Sequence, residues 1–269
     1  TMSTISLNTA STGLNALSTS LDVIANNLAN VNTTGFRSSR ANFEDLFYLE
    51  RGQPGIEQEY GNSNPTGLQV GLGVSVSGTS LNVGQGALEP TSGDLDLAIL
   101  GDGWFQVEVS PGVSEDGYGY TRAGNFTRNQ DGEIVMSNSE GYRLSPDIAI
   151  PQDATNLTID EWGYVQYQEN GVNVSGGQIT LARFINPAGL QAVGGNIYTP
   201  TYASGDAEIS EANQSGYGAI KQYNLETSNA EAVTELVSLI KTQRAFEMNS
   251  QVIQAANETL QEIVNLRRF

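Results

Sequence analysis

Leu14, Leu17, Leu21, Ile24, Leu28 and Val31 follow one another in steps of three and four residues, and Leu7 lies one heptad before Leu14. That a/d spacing draws an apolar row along a helix and demands a partner helix beside it. At ~1.5 Å per residue the row from Leu7 to Val31 is a rod of roughly 37 Å. Gly35, after Asn32-Thr33-Thr34, predicts the stop. The other end of the chain repeats the pattern. Leu239, Phe246, Ile253 and Leu260 recur every seven residues, with Ala256 and Ile263 in the companion row and Thr242 and Asn249 as polar intrusions that set register. Ser228-Asn229-Ala230-Glu231 predicts a capping box, with the Ser228 side chain on the backbone N–H of Glu231. Val233, Val237, Ile240, Met248 and Val252 add a second apolar stripe, so this helix expects more than one neighbour. The seams are satisfied either by pairing the two ends of one chain or by further copies.

Between the ends the period changes. Leu95, Leu97 and Ile99 alternate with Asp94, Asp96 and Ala98, and Phe105, Val107 and Val109 alternate with Gln106 and Glu108. This is the period of half-buried strands. Gly101-Asp102-Gly103, Asp116-Gly117, Asn129-Gln130-Asp131-Gly132 and Glu169-Asn170-Gly171 supply turns between short antiparallel strands. Residues 50–73, rich in Gly, Pro, Asn and Gln, predict an extended loop or hairpin. The expected division is a helix with its connection over 1–43, a β-rich part over 44–228 with the extended segment at about 46–73, and a second helix over 229–269.

Composition narrows the chemistry. The 269 residues contain no His and no Cys. That removes the imidazole base, the Ser-His pair, the thiol nucleophile, the disulfide and the usual zinc and iron–sulfur ligands. Asp94 and Asp96 share one strand face, but nothing pairs carboxylates across a scissile bond. Gly71-Leu72-Gly73 and Gly101-Asp102-Gly103 lack the third glycine of a dinucleotide loop. No catalytic residue, cofactor or metal site is expected. The net charge of −18 opposes nucleic acid and anionic membranes as partners. All of it resides in residues 44–228, which hold six basic and 24 acidic groups, while the two ends are nearly neutral. The ends suit close packing and the middle suits solvent. No segment has the length to span a bilayer or the pattern of a cleaved signal peptide.

The residues also resemble a known family. Val23-Ile24-Ala25-Asn26-Asn27-Leu28-Ala29-Asn30, continuing to Gly35-Phe36, resembles the N-terminal signature of bacterial flagellar rod and hook proteins. Glu226-Thr227-Ser228-Asn229 and Gln243-Arg244-Ala245-Phe246 resemble their C-terminal signature. Gly101 through Val107, Tyr120 through Phe126 and Phe184 through Leu190 are similar to the family's middle, so the resemblance spans the chain. Phe43 through Tyr48, Arg51-Gly52-Gln53-Pro54-Gly55 and Gly67 through Val74 resemble the distal-rod branch; a proximal rod or short hook-type subunit is the nearest alternative. Arg37 stands where the family often has Lys, and core packing is the reading for Trp104 and Trp162.

The resemblance implies an α+β fold: long terminal helices forming an antiparallel coiled-coil domain, and a mainly antiparallel β middle. It implies a structural subunit of a helical tube that transmits motor torque across the periplasm and forms part of an export channel. Its partners would be further copies of itself, proximal rod proteins, the hook protein and the surrounding rings, with export through the flagellum's own apparatus and no direct membrane insertion. The helix seams would make the contacts between copies. Asn26, Asn27, Asn30, Gly35, Phe36, Ser228, Asn229 and Arg244 carry the signature, and Phe47, Tyr48, Gln53, Pro54 and Gly55 would stiffen the rod. Apart from the resemblance, a soluble β-rich binding module that dimerises through its terminal helices fits the same patterns.

Overall fold

The computed structural model describes residues 2–52, 66–114, 116–214 and 216–266, without the side chains of 2–4, 263, 264 and 266. The chain divides into two compact units, one of residues 1–28, 39–80 and 233–269, the other of residues 29–38 and 81–232.

The first unit contains α1 (Met2–Ala29) and four strands: β1 (Ser39–Asp45), β2 (Tyr48–Gly52), β3 (Leu68–Gly71) and β4 (Val74–Leu81). Helix α2 (Ala232–Leu266) completes it. Strand β1 pairs with β4, and β2 with β3 form an antiparallel hairpin in which Tyr48 faces Gly71. Helix α1 ends before Gly35, at Ala29. Its most buried side chains are Ala10, Ala16, Ile24 and Asn27. The backbone after β3 comes close to this helix: Gly73 lies against Thr9 and Thr12, where any Cβ would collide with the Thr12 hydroxyl.

Here the expected fold class is corrected. The protein is mainly β with one helix at each end, and the two helices do not close an antiparallel coiled-coil domain. Among the described residues no side chain of α2 is buried: Leu239, Ile253 and Leu260 are half-buried and Phe246 is exposed. On α1, Leu14, Leu17, Leu21 and Leu28 reach only half-burial. Two contacts between the helices are polar. Asn27 Nδ2 donates to Glu235 Oε1 at 3.2 Å, and Gly13 faces the side-chain amide of Asn249. The physical reason lies in the companion row of α2. Its successive heptad positions are Glu235, Thr242, Asn249 and only then Ala256, so most of the knobs that this row would offer a seam are polar.

The second unit is built from short strands: β5 (Leu88–Pro90), β6 (Leu97–Leu100), β7 (Trp104–Glu108), β8 (Tyr118–Thr121), β9 (Phe126–Arg128), β10 (Ile134–Met136) and β11 (Arg143–Ser145). They are followed by β12 (Thr155–Ile159), β13 (Tyr164–Glu169), β14 (Val172–Gln178), β15 (Thr180–Arg183), β16 (Gln191–Gly194), β17 (Ile197–Thr199), β18 (Glu208–Glu211), β19 (Ala219–Gln222) and β20 (Asn224–Glu226). The main sheet runs β16-β17-β8-β7-β11-β10-β9, with β15 joining β7 to β18. Strands β12, β13 and β14 form a second sheet, and β19 pairs with β6 and β20 with β5. The turn chemistry explains the hairpins. Asn170 and Gly171 both take positive φ, 50° and 82°, the two left-handed positions of a tight β13–β14 turn. Asn129 Oδ1 accepts the N–H groups of Asp131 and Glu133 between β9 and β10.

The alternation in β6 and β7 predicts half-buried strands, and the structure differs. Trp104, Phe105, Gln106 and Val107 are all buried. One face of β7 places Phe105 and Val107 in the main core with Leu97, Ile99, Leu144 and Leu181. The other places Trp104 in a second cluster with Tyr120, Ala182, Phe184, Leu190 and Tyr198. Edge-to-face ring pairs order that cluster, Trp104 on Tyr198 at 5.0 Å and Tyr120 on Phe184 at 4.8 Å. Trp104 thus packs in a core as expected, whereas Trp162 is 43% exposed.

Candidate assembly site

Two features carry structural information beyond ordinary packing: a buried charge cluster and rows of exposed apolar side chains. The cluster forms where the connection after α1 passes the segment before α2. Glu226 at the end of β20 is fully buried. Its Oε1 lies 2.7 Å from Arg37 Nη2 and accepts the Gly86 N–H at 2.9 Å. Its Oε2 accepts from Arg122 Nη1 at 3.2 Å. Arg122 Nη2 donates to the Gly101 carbonyl at 2.8 Å, and Arg37 Nη1 donates to the Gly84 carbonyl. The Arg122 guanidinium also sits 5.6 Å from the centre of the Trp104 ring. Two guanidiniums and one carboxylate leave a net positive charge inside the unit. Burial pulls Arg122 down to about 10; Glu226 opposes that shift and Arg37 adds to it.

The backbone comes very close here, and glycine permits it. Gly35 has φ of +68°, and a Cβ on it would collide with the Arg122–Ala123 peptide. A Cβ on Gly86 would collide with the Thr227 carbonyl oxygen.

The signature residues separate into distinct roles. Asn27 exchanges two hydrogen bonds with the Ser39 backbone and adds the bond to Glu235. Asn229 accepts the Ser38 N–H and donates to the carbonyls of Asn82 and Gly84. The Ser228 hydroxyl accepts the N–H of Ala230 at 3.1 Å. Asn30 accepts from Thr33, Phe36 and Val31 are half-buried, and Asn26 and Arg244 are exposed on their helices. Sequence reasoning passed over the charge cluster, treating Arg37 as an ordinary replacement for Lys. The available signal was Arg37 and Glu226 standing in the short segments that flank the two helices.

The exposed row lies along α2: Val233, Val237, Ile240, Met248 and Val252 are each 45–68% exposed. That is far more apolar surface than isolated exposed residues produce. Of the segment expected to stiffen a rod, Phe47 is 89% and Tyr48 55% exposed, while Gln53, Pro54 and Gly55 lie outside the described residues. Of the seam positions, Ile24 is buried within the chain, and the side chain of Ile263 lies outside those described. A groove of about 470 Å³ runs beside these surfaces, lined by Ile5, Thr9, Ala10, Val70 and Val252. Among the described residues no cluster of acidic side chains has metal-site geometry, and no helix is long and apolar enough to cross a membrane.

Comparison with known proteins gives the family. Residues 7–37 match the family described as flagella basal body rod protein, and residues 98–167 match the flagellar hook protein FlgE/F/G D1 domain. Residues 221–266 match the flagellar basal body rod FlgEFG protein C-terminal family. The flagellar basal-body rod protein FlgG of Caulobacter vibrioides is 42% identical over 97% of this chain and 98% of its own length. FlgG of Bacillus subtilis is 39% identical over 98% and 99%, respectively. The hook-basal body complex protein FlhP of the same bacterium is 29% identical over nearly the same span. The matched segments include both helices, both connections of the charge cluster and the core of the β unit, and so the chain belongs to the flagellar basal-body rod protein family.

Proposed function

We propose that this protein is the structural subunit of the flagellar distal rod, polymerising into a rigid helical tube that transmits torque across the periplasm and forms part of the export channel. The observation that supports this reading most directly is the uncovered apolar surface of the helices. A 35-residue helix with no buried side chain among those described is an unfinished interface. Further copies complete it by covering the α2 row and the seam positions Leu14, Leu17, Leu21, Leu28, Val31, Leu239, Phe246, Ile253, Leu260 and Ile263. Phe47 and Tyr48, with the segment through Gly55, pack on neighbouring subunits and stiffen the tube. Proximal rod proteins adjoin one end and the hook protein the other. The acidic β unit faces the surrounding rings, and repetition of its charge along the rod discourages adhesion to them. The subunit reaches this position through the flagellum's own export apparatus. The role requires no covalent chemistry and no cofactor.

Deletion of the gene in its host, followed by electron cryomicroscopy of basal bodies, tests the reading. Rods that stop short and regain full length with the wild-type gene are expected; full-length rods in the deletion strain would overturn it.

A further inference from the structure

Burying two guanidiniums around one carboxylate is a costly way to fill a core, since apolar side chains of similar volume are often at least as stabilising. This cluster is not even complete in its bonding: Nε of Arg37 and Nε of Arg122 are buried with no acceptor among the described residues. What it supplies is connectivity. Arg37 belongs to the connection leaving α1, and Glu226 opens the connection leading to α2. These two connections are also bonded directly. The Gly35 N–H donates to the Glu226 carbonyl at 2.8 Å, and the Asn229 N–H donates to the Phe36 carbonyl at 3.2 Å. Asn229 Oδ1 accepts the Ser38 N–H at 2.7 Å. The joined pair is then fastened to the β strands and loops through Gly84, Gly86, Gly101 and Arg122.

From this arrangement we infer that Glu226, held by Arg37 and Arg122, is a mechanical lock. It joins the two connections to each other and to the β unit, so that force arriving through either terminal helix enters the β unit at this point. The inference rests on the torque-transmitting function proposed above. Without the lock, residues 30–38 and 227–231, which contain no helix or strand, would extend separately under load. With it, several directional bonds must break together, and burial keeps water and salt from competing for them. Arg37 and Arg122 act through Glu226 and are positioning residues.

Hydrogen exchange on the full-length protein distinguishes a local lock from general stabilisation. In Glu226→Gln, the amides of Gly35, Ser38, Gly86 and Asn229 should exchange at least about tenfold faster, while Phe105 and Leu181 in the core keep their wild-type rates. Unchanged rates at the four amides, or equal acceleration in the core, would overturn the lock. Should Glu226→Gln not fold, Arg37→Lys, which keeps the charge and loses the fork that spans Glu226 and Gly84, is judged by the same four amides. Single-molecule pulling on the two ends of the full chain adds a mechanical readout. The folding-competent variant should show an early extension step at lower force than wild type, before the β unit unfolds; identical traces would overturn the lock. Neither measurement depends on rod assembly, so the lock and the distal-rod function fail separately.

Discussion

Asn27 and Ser39 exchange a reciprocal pair of hydrogen bonds: the Asn27 amide donates to the Ser39 carbonyl at 2.8 Å, and its Oδ1 accepts the Ser39 N–H at 3.0 Å. A side chain here takes the part of a neighbouring strand and fixes how β1 starts beside the last turn of α1. Asn27→Ala leaves both Ser39 groups and Glu235 without this partner. The expected loss is about 2–4 kcal/mol, from unmade hydrogen bonds at a largely buried site. Urea denaturation followed by helix circular dichroism measures it. A loss below about 0.5 kcal/mol would show that water replaces the amide without penalty.

Gly35 and Gly112 separate backbone strain from steric conflict. Both have positive φ, +68° and +111°, but Gly35 faces the Arg122–Ala123 backbone, whereas a methyl group on Gly112 would meet nothing within 4 Å. Gly112→Ala should cost about 1–2 kcal/mol from conformation alone. Gly35→Ala should cost at least about 2 kcal/mol more, because neither backbone can move without opening the charge cluster. Paired denaturation midpoints decide the matter; equal shifts would contradict the close packing of Gly35 on the Arg122–Ala123 backbone.

The two sides of the helix surface should respond oppositely to a new charge. Ile240→Asp and Met248→Asp, at positions 49% and 61% exposed, should leave the monomer's stability within about 0.5 kcal/mol and abolish polymerisation. Ile24→Asp, at a position 9% exposed, should destabilise the monomer itself by several kcal/mol. Thermal melts of the monomer, set beside electron microscopy of assembled tubes, give both readings. Normal tubes from Ile240→Asp would remove α2 from the interface.

Alkali should act through the second aromatic cluster. Burial raises both the Tyr120 and the Tyr198 hydroxyls above the usual 10. The folded protein therefore holds protons that the unfolded chain releases, and the stability these tyrosines contribute falls as pH rises through about 10. Arg122 works in the opposite sense: its folded value lies below that of a free guanidinium, so this group favours the fold as pH climbs from about 10. Phenolate absorbance isolates the tyrosines. Tyr120 and Tyr198 should ionise late, together with loss of near-ultraviolet circular dichroism. Their ionisation before that loss would place them in contact with water.

Much of the architecture was legible because the signals are local. Asn170-Gly171 specifies its turn from two adjacent residues, and the alternation through Phe105 and Val107 marks a strand wherever that strand packs. The heptad rows of Leu14 through Leu28 and Leu239 through Leu260 mark helices in the same way, while Val31, at the end of the first row, falls in the turn after α1. The signature residues pointed to the family without revealing their work: Asn27 and Asn229 read as polar positions beside helices and prove to be staples onto distant backbone.

The sequence by itself determined the element types, the turn positions, the segregation of charge into the middle and the family. Only the tertiary structure decided that β7 is buried on both faces, since the covering residues Phe184, Leu190 and Tyr198 come from far along the chain. It also decided that the two heptad rows do not make a coiled coil. A row shows that a helix has an apolar face, but what covers that face depends on the register of the polar positions Glu235, Thr242 and Asn249 against the other helix. The meeting of Arg37, Arg122 and Glu226 was likewise decided in three dimensions. Periodicity reaches a few residues along a chain, whereas the burial and pairing of charge depend on which segments chain closure brings together.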